Sequence, residues 1–200
     1  MNPSADRARE VSVEAVIKVG GGLSATRGAL PRVGRAIGEA SRVTRLVVVP
    51  GGGPFADAVR EFDRRVGLSA DAAHWMAILA MDQYAYVLAD YTPGSRLVSD
   101  LGQVSLALAA NEVPILAPAR WLRAADELPH SWEVTGDSLA AYIAGLLGAA
   151  RLVLLKPVAD GDDPLTDAYF LKTLPMNLEY RCLGLDSLGE LPQAATKPAR

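Results

Sequence analysis

Three apolar runs in this sequence end in residues that handle phosphate well. Lys18 sits in the run Ile17-Lys18-Val19, which leads into Gly20, Gly21 and Gly22. A second run ends Val49-Pro50 and leads into Gly51, Gly52 and Gly53. A third ends Leu155-Lys156-Pro157. Glycine triplets let the backbone approach a ligand closely, and N–H groups leading into a helix form a nest for an anion. Two such nests at neighbouring strand ends would hold two phosphates, or a phosphate and an acceptor, with Lys18 and Lys156 adding point charges. Taken singly, a triplet is a tight turn and a strand-end lysine is a solvated one. Their coincidence is more specific than the parts.

Asp137 lies in Thr135-Gly136-Asp137-Ser138, which opens a helix just before the third run. Thr135 or Asp137 can serve simply as a helix cap. A carboxylate between two lysines would instead fix both ammonium groups. Phosphoryl transfer needs that, because its catalysis is mostly positioning and charge stabilisation.

Two familiar phosphate motifs fare poorly. Nothing matches the P-loop spacing of Gly, four residues and Gly-Lys-Ser/Thr. Gly20, Gly22 and Ala25 fit the dinucleotide fingerprint formally. That motif also needs an acidic residue at the end of the next strand, where this chain has Pro50 and more glycine.

The elements that must position these residues follow from the hydrophobic pattern. Strands are expected at 13–19, 45–49, 95–98, 113–116 and 151–155, and helices at 27–40, 55–66, 70–89 and 137–147. Strands apolar on both faces and alternating with helices imply an α/β fold. The expected form is a three-layer αβα sandwich with an open, mainly parallel central sheet. Ligands in such sheets bind outside the carboxyl ends of the strands.

With 200 residues, 50% hydrophobic and 22% charged, the chain has enough apolar surface for one well-packed core. The expected division is a disordered segment at 1–10, a single domain over 11–191 and a flexible tail at 192–200. A net charge of −3 offers no general attraction to nucleic acid or anionic lipid, so any anion must be held locally. Cys182 is the only cysteine, which excludes an intramolecular disulfide and a cysteine metal cluster. The polar start lacks a signal-peptide pattern, so the cytoplasm is the expected compartment. Residues 72–89 are apolar, Ala or aromatic at nearly every position, but His74, Asp82 and Gln83 argue against a membrane span. A helix apolar almost all round is buried on several sides, and a homo-oligomer built through it is expected.

Further candidates lie on helices. Arg60, one to two turns into its helix, can reach an acceptor phosphate. His74 and Asp82, eight residues apart, are expected roughly on one face, where they contact an acceptor's ammonium group or satisfy each other. Trp75, Trp121 and Trp132 read as packing, and Asp160, Asp162 and Asp163 as a solvated loop rather than a metal site.

The segments IKVGGGL (17–23), VVPGGGPFADAVR (48–60), VTGDSLAAYIA (134–144) and VLLKPVADG (153–161) resemble the amino acid kinase superfamily. The resemblance runs in order over residues 13–161. The GGGPFADAVR loop and the AHWMAILAMDQYAY helix (73–86) look most like one branch of it. That branch, the kinase of methanofuran biosynthesis and its bacterial relatives in C1 metabolism, phosphorylates [5-(aminomethyl)furan-3-yl]methyl phosphate to a diphosphate.

The resemblance implies an ATP- and Mg²⁺-dependent kinase, with an acceptor half at about 11–130 and a nucleotide half at about 131–191. It implies that Lys18 stabilises the transferring group and that Gly20, Gly21 and Gly22 contact the donor phosphates. Gly51, Gly52 and Gly53 would contact the acceptor, with Arg60, His74 and Asp82 around it. Asp137 would organise the lysines, and 153–161, including Asp160, would open the nucleotide site. The Mg²⁺ ion would be held largely by phosphate oxygens, with no protein ligand assigned. Lys156 and Lys172 compete for the second catalytic lysine, with Lys156 favoured. Fewer than 45 residues follow Lys156, a short nucleotide half. Two rival readings stay open: a kinase of this fold for an amino acid or UMP, and a non-catalytic protein that binds nucleotide or oxoanions.

Overall fold

The structure is a computed structural model that describes residues 12–157 and 169–196. Its centre is a six-stranded parallel sheet. The strands are β1 (Ala15–Val19), β2 (Leu46–Pro50), β3 (Ser95–Val98), β4 (Val113–Leu116), β5 (Arg151–Leu155) and β6 (Glu179–Leu183), in the order β3-β4-β2-β1-β5-β6. Every residue of β1 and β2 is buried, as expected of strands covered on both faces.

Strand alternation sorts the core into two layers. Ala15, Ile17 and Val19 join Val48, Val153 and Leu155 on one face. There they meet α1 (Ala29–Ala40), through Val33 and Ile37, and the short C-terminal α8 (Leu191–Thr196). Val16, Val47, Val49, Leu152 and Leu154 point to the other face. That face is covered by α4 (Leu101–Ala109), α5 (Ala119–Ala125), α6 (Gly136–Leu146) and α7 (Phe170–Thr173). The result is the expected αβα sandwich.

Two helices remain. α2 (Gly53–Val66) starts at the second glycine triplet and packs along α3 (Ala70–Tyr91). α3 sends Tyr84, Ala85 and Leu88 into one core layer and Ile78 and Met81 into the other. Its apolar character is thus largely used within the chain. The side left to solvent carries Leu79, Gln83, Tyr86 and Asp90. No described helix is long and apolar enough to cross a membrane.

The sequence pattern leaves out α4, α5, β6 and α8. β6 is an edge strand, and its half-exposed Tyr180 and Arg181 break the apolar run. Residues 192–196, expected as part of a flexible tail, lie instead in α8. Leu191, Ala194 and Ala195 bury there beside α1 and explain the order.

Candidate active site

The sheet register brings the chemistry to one edge. Val19 pairs with Pro50 on one side and Leu155 on the other, so β1, β2 and β5 end level. Gly20–Gly22, Gly51–Gly53 and Lys156 therefore emerge side by side. Lys18 and Lys156 have the same parity as Val16, Leu152 and Leu154, which sends both side chains toward the α6 layer.

Asp137 waits there in the first turn of α6. Its carboxylate takes Lys18 Nζ at 2.5 Å on Oδ1 and Lys156 Nζ at 2.8 Å on Oδ2. All three are buried, at 7%, 8% and 5% exposure for Lys18, Lys156 and Asp137. Burying an unpaired charge costs several kcal/mol, so the carboxylate stabilises both lysines in place. Burial pushes the Asp137 carboxyl up, but the charge of Lys18 and the hydrogen bond from Lys156 outweigh it and hold it below its ordinary value. The three side chains sum to one positive charge, suited to an incoming anion. Asp137 does not cap its own helix: the Thr135 hydroxyl accepts from the Asp137 N–H at 3.4 Å.

A cleft of about 730 Å³ opens in front of this cluster, lined by Lys18, Gly21, Gly22, Gly51–Gly53 and Gly136. A Cβ on Gly136 would come within 3.3 Å of Gly51 Cα and 3.4 Å of Lys18 Cε, so a side chain there would crowd the lysine. α2 begins at Gly53 with Pro54 in its first turn, and its N-terminal N–H groups favour an anion. Not every glycine of the triplets takes part in this way. Gly20 donates its N–H to the Leu155 carbonyl at 2.8 Å and does not line the cleft. Gly51 lines the cleft but donates to the Val19 carbonyl at 2.8 Å. Their amides extend the sheet, which corrects the expectation that all six face phosphate.

The outer cleft is formed by α2, α3 and the segment 126–135. Arg60 and His74 both line it. Arg60 pairs with Asp57 at 2.8 Å, and its guanidinium lies 4.8 Å from the centre of the Trp132 ring. His74 stacks on His130, with ring centres 4.1 Å apart. Asp82 is not in the cleft. Eight residues turn a helix by about 80° beyond two full turns, so Asp82 faces α5 and accepts from the Ala119 N–H at 2.9 Å. Burial pushes its carboxyl up, opposed by that bond.

Lys172 is exposed on α7, its ammonium 4.8 Å from the centre of the Tyr169 ring, so of the two competing lysines only Lys156 reaches Asp137. Asp160, Asp162 and Asp163 lie outside the described residues. Sequence reasoning missed His130 and treated Trp132 as packing. Both sit in an irregular segment where no periodicity marks a face.

The model of the amino acid kinase family matches residues 14–160, spanning both glycine loops and the Lys–Asp–Lys cluster. The chain belongs to this family. A relative from Methanocaldococcus jannaschii, [5-(aminomethyl)furan-3-yl]methyl phosphate kinase, is 30% identical over 145 residues, 72% of this chain. The match spans 65% of that relative's length. Among solved structures, uridylate kinase from Archaeoglobus fulgidus superposes with a TM-score of 0.68 at 17% identity, covering 94% of this chain and 97% of that one. UMP kinase from Ureaplasma parvum gives 0.67 at 17%, covering 88% and 91%. At that identity the likeness establishes the shared fold.

Proposed function

We propose that the protein is an ATP-dependent kinase whose acceptor is the phosphate of [5-(aminomethyl)furan-3-yl]methyl phosphate. The observation that carries the kinase reading is Asp137 bridging Lys18 and Lys156 between the two glycine loops, and the acceptor follows the 30%-identical relative. An acceptor phosphate oxygen attacks the γ-phosphorus of ATP. The bond to the β,γ-bridging oxygen breaks, and its electron pair leaves with ADP. The acceptor becomes a diphosphate. Lys18 and Lys156 stabilise the charge on the oxygens in flight, and Asp137 holds the ammonium groups still while it happens.

The site suits a triphosphate, because the buried cluster carries a net positive charge. Gly21 and Gly22 present backbone to the donor phosphates, and Gly52 and Gly53 with the start of α2 present it to the acceptor. Mg²⁺ would neutralise charge between the β- and γ-phosphates. It would ride on phosphate oxygens, since Asp137 is committed to lysines and no three acidic, His or Cys side chains are placed to hold a metal ion among the described residues. The nucleotide half is taken as about 131–191, and residues 158–161 of its opening segment lie outside the described residues. Use of ATP fits a cytoplasmic protein.

A homo-oligomer is part of the same reading. Leu79 is 47% exposed and Tyr86 67% exposed on the solvent side of α3. Light scattering at micromolar concentration tests this, and a monomer removes it.

The acceptor is tested by a product assay with ATP, Mg²⁺ and four candidates: the aminomethylfuran phosphate, UMP, aspartate and N-acetylglutamate. Diphosphate formation from the first alone is expected. Faster turnover of UMP or an amino acid moves the protein to another branch. Binding of ATP with no product from any of them reduces it to a nucleotide-binding protein.

A further inference from the structure

Trp132 carries more than packing. Its indole N–H donates to Asp63 Oδ2 at 2.8 Å, and the other oxygen of Asp63 accepts from the Leu68 N–H at 2.8 Å. Asp63 is thereby fixed from both sides at the end of α2, and it orients the indole in turn. The Arg60 guanidinium lies over the ring fixed this way. Asp63, Trp132 and Arg60 all line the cleft. The contacts join α2 to the segment 126–135, which ends at Thr135 and Gly136 beside Asp137.

We propose that Trp132 is a positioning residue for the acceptor: Asp63 fixes the indole, and the indole face holds Arg60 where its guanidinium meets the acceptor's anionic group. This rests on the kinase reading and deepens it. An arginine on a flexible stem loses rotamer freedom when it binds an anion. A guanidinium already held against an aromatic face has lost part of that freedom beforehand. Without the indole, Arg60 keeps its bond to Asp57, which also lines the cleft but is 74% exposed, so water screens that pair and it holds the guanidinium only weakly.

The chain Asp63–Trp132–Arg60 makes a specific demand on mutants. Asp63→Asn keeps an oxygen for Leu68 but turns an N–H₂ donor toward the indole donor, so one of its two bonds must break. Trp132→Phe keeps an aromatic face for Arg60 and loses the bond to Asp63. Trp132→Leu loses both.

The test is steady-state kinetics with whichever of the four acceptors the wild-type protein turns over, in Arg60→Ala, Trp132→Leu, Trp132→Phe, Asp63→Asn and the Arg60→Ala/Trp132→Leu double variant. Trp132→Leu is expected to raise the acceptor KM about tenfold and leave the ATP KM within about twofold. Trp132→Phe and Asp63→Asn should fall between it and wild type. In the Arg60→Ala background, Trp132→Leu should add less than about twofold, because the residue it positions is gone. Hydrogen exchange of residues 126–135 should quicken in Asp63→Asn. Additive effects of Arg60→Ala and Trp132→Leu would overturn the proposal, as would an equal rise in the ATP KM. If the aminomethylfuran phosphate is not an acceptor but another candidate is, the acceptor assignment fails while this proposal is judged on the other. If none is turned over, both fall.

Discussion

Gly21 and Gly53 touch backbone to backbone. A Cβ placed on Gly21 would lie 2.5 Å from the Gly53 nitrogen and 2.7 Å from its Cα, inside any real contact. The two loops follow adjacent strands that end level, with Val19 paired to Pro50. Glycine at both points lets the loops close into one continuous surface in front of Lys18. Gly53 is held from behind as well: its φ of +57° suits glycine, and a Cβ there would meet the Tyr84 ring at 3.1 Å. Tyr84 is buried in the core at 1% exposure, so the loop rests on a rigid support.

Gly21→Ala should therefore separate the loops and lower kcat about a hundredfold or more, since small misplacements of reacting groups are expensive. Gly38→Ala is the control. It sits on α1 away from the cleft, and its Cβ would meet only Pro93, at an ordinary 3.8 Å. Equal losses in the two variants, measured by ATP turnover, would refute the loop-contact explanation.

Lys18 is expected to be separable from the fold. Removing it leaves Asp137 paired with Lys156 at 2.8 Å, so no charge is stranded. Lys18→Ala should lower kcat by at least about a hundredfold and melt near the wild type, as for loss of a contact realised in the transition state. Near-normal turnover in a folded variant would take the catalytic role away from Lys18.

Asp137 behaves differently, because both lysines depend on it. Asp137→Asn removes the carboxylate that pairs with both buried ammonium groups. The expected cost is about 3 kcal/mol of stability along with most of the activity. Added pyrophosphate should recover part of the melting temperature, since an anion can take the place of the lost carboxylate. Were Asp137 merely a cap, Asn would serve almost as well and neither quantity would move. Thr135 already fills that capping place.

The Lys–Asp–Lys cluster was legible because its members sit at the ends of strongly patterned elements. Lys18 follows a buried run, Lys156 follows another, and Asp137 opens a helix, so strand parity and the sheet rule place all three. The sheet itself was readable from the same buried runs, except where β6 mixes charge with apolar residues at an edge. Asp82 was misplaced by a simple geometric drift, since eight residues do not return to the same helix face. Trp132 and His130 were opaque for another reason. Their partners on α2 and α3, Asp63 and Asp71, lie 69 and 59 residues away, and an irregular segment carries no period that points to them. Gly20 and Gly51 look like the other triplet glycines in sequence, and only the sheet ladder shows where their N–H groups go.

His130 gives the outer cleft a dependence on pH. Its Nδ1 lies 2.6 Å from Asp71 and its Nε2 2.9 Å from Asp126. A carboxylate only accepts, so both contacts are hydrogen bonds together only when the ring is an imidazolium. Hydrogen bonds to Asp71 and then Asp126 push its pKa above the ordinary 6.5. His74, stacked on it, is pushed below 6.5 by burial first and by the His130 charge second. A histidine with a raised folded-state pKa contributes its stabilisation fully below the unfolded value and loses it as pH rises through the folded one. Residues 126–135 should therefore loosen from α3 as pH climbs above about 6.5, while His74 acts in the window below. The effect is modest, because Asp71 is 79% exposed and water screens the pair. Hydrogen exchange of 126–135, corrected for the intrinsic pH dependence, should show rising opening between pH 6.5 and 9 in the wild type. In His130→Gln the same correction should leave a flat profile. An identical slope in the two proteins would assign the pH dependence to another group and leave His130 a purely steric part of the cleft wall.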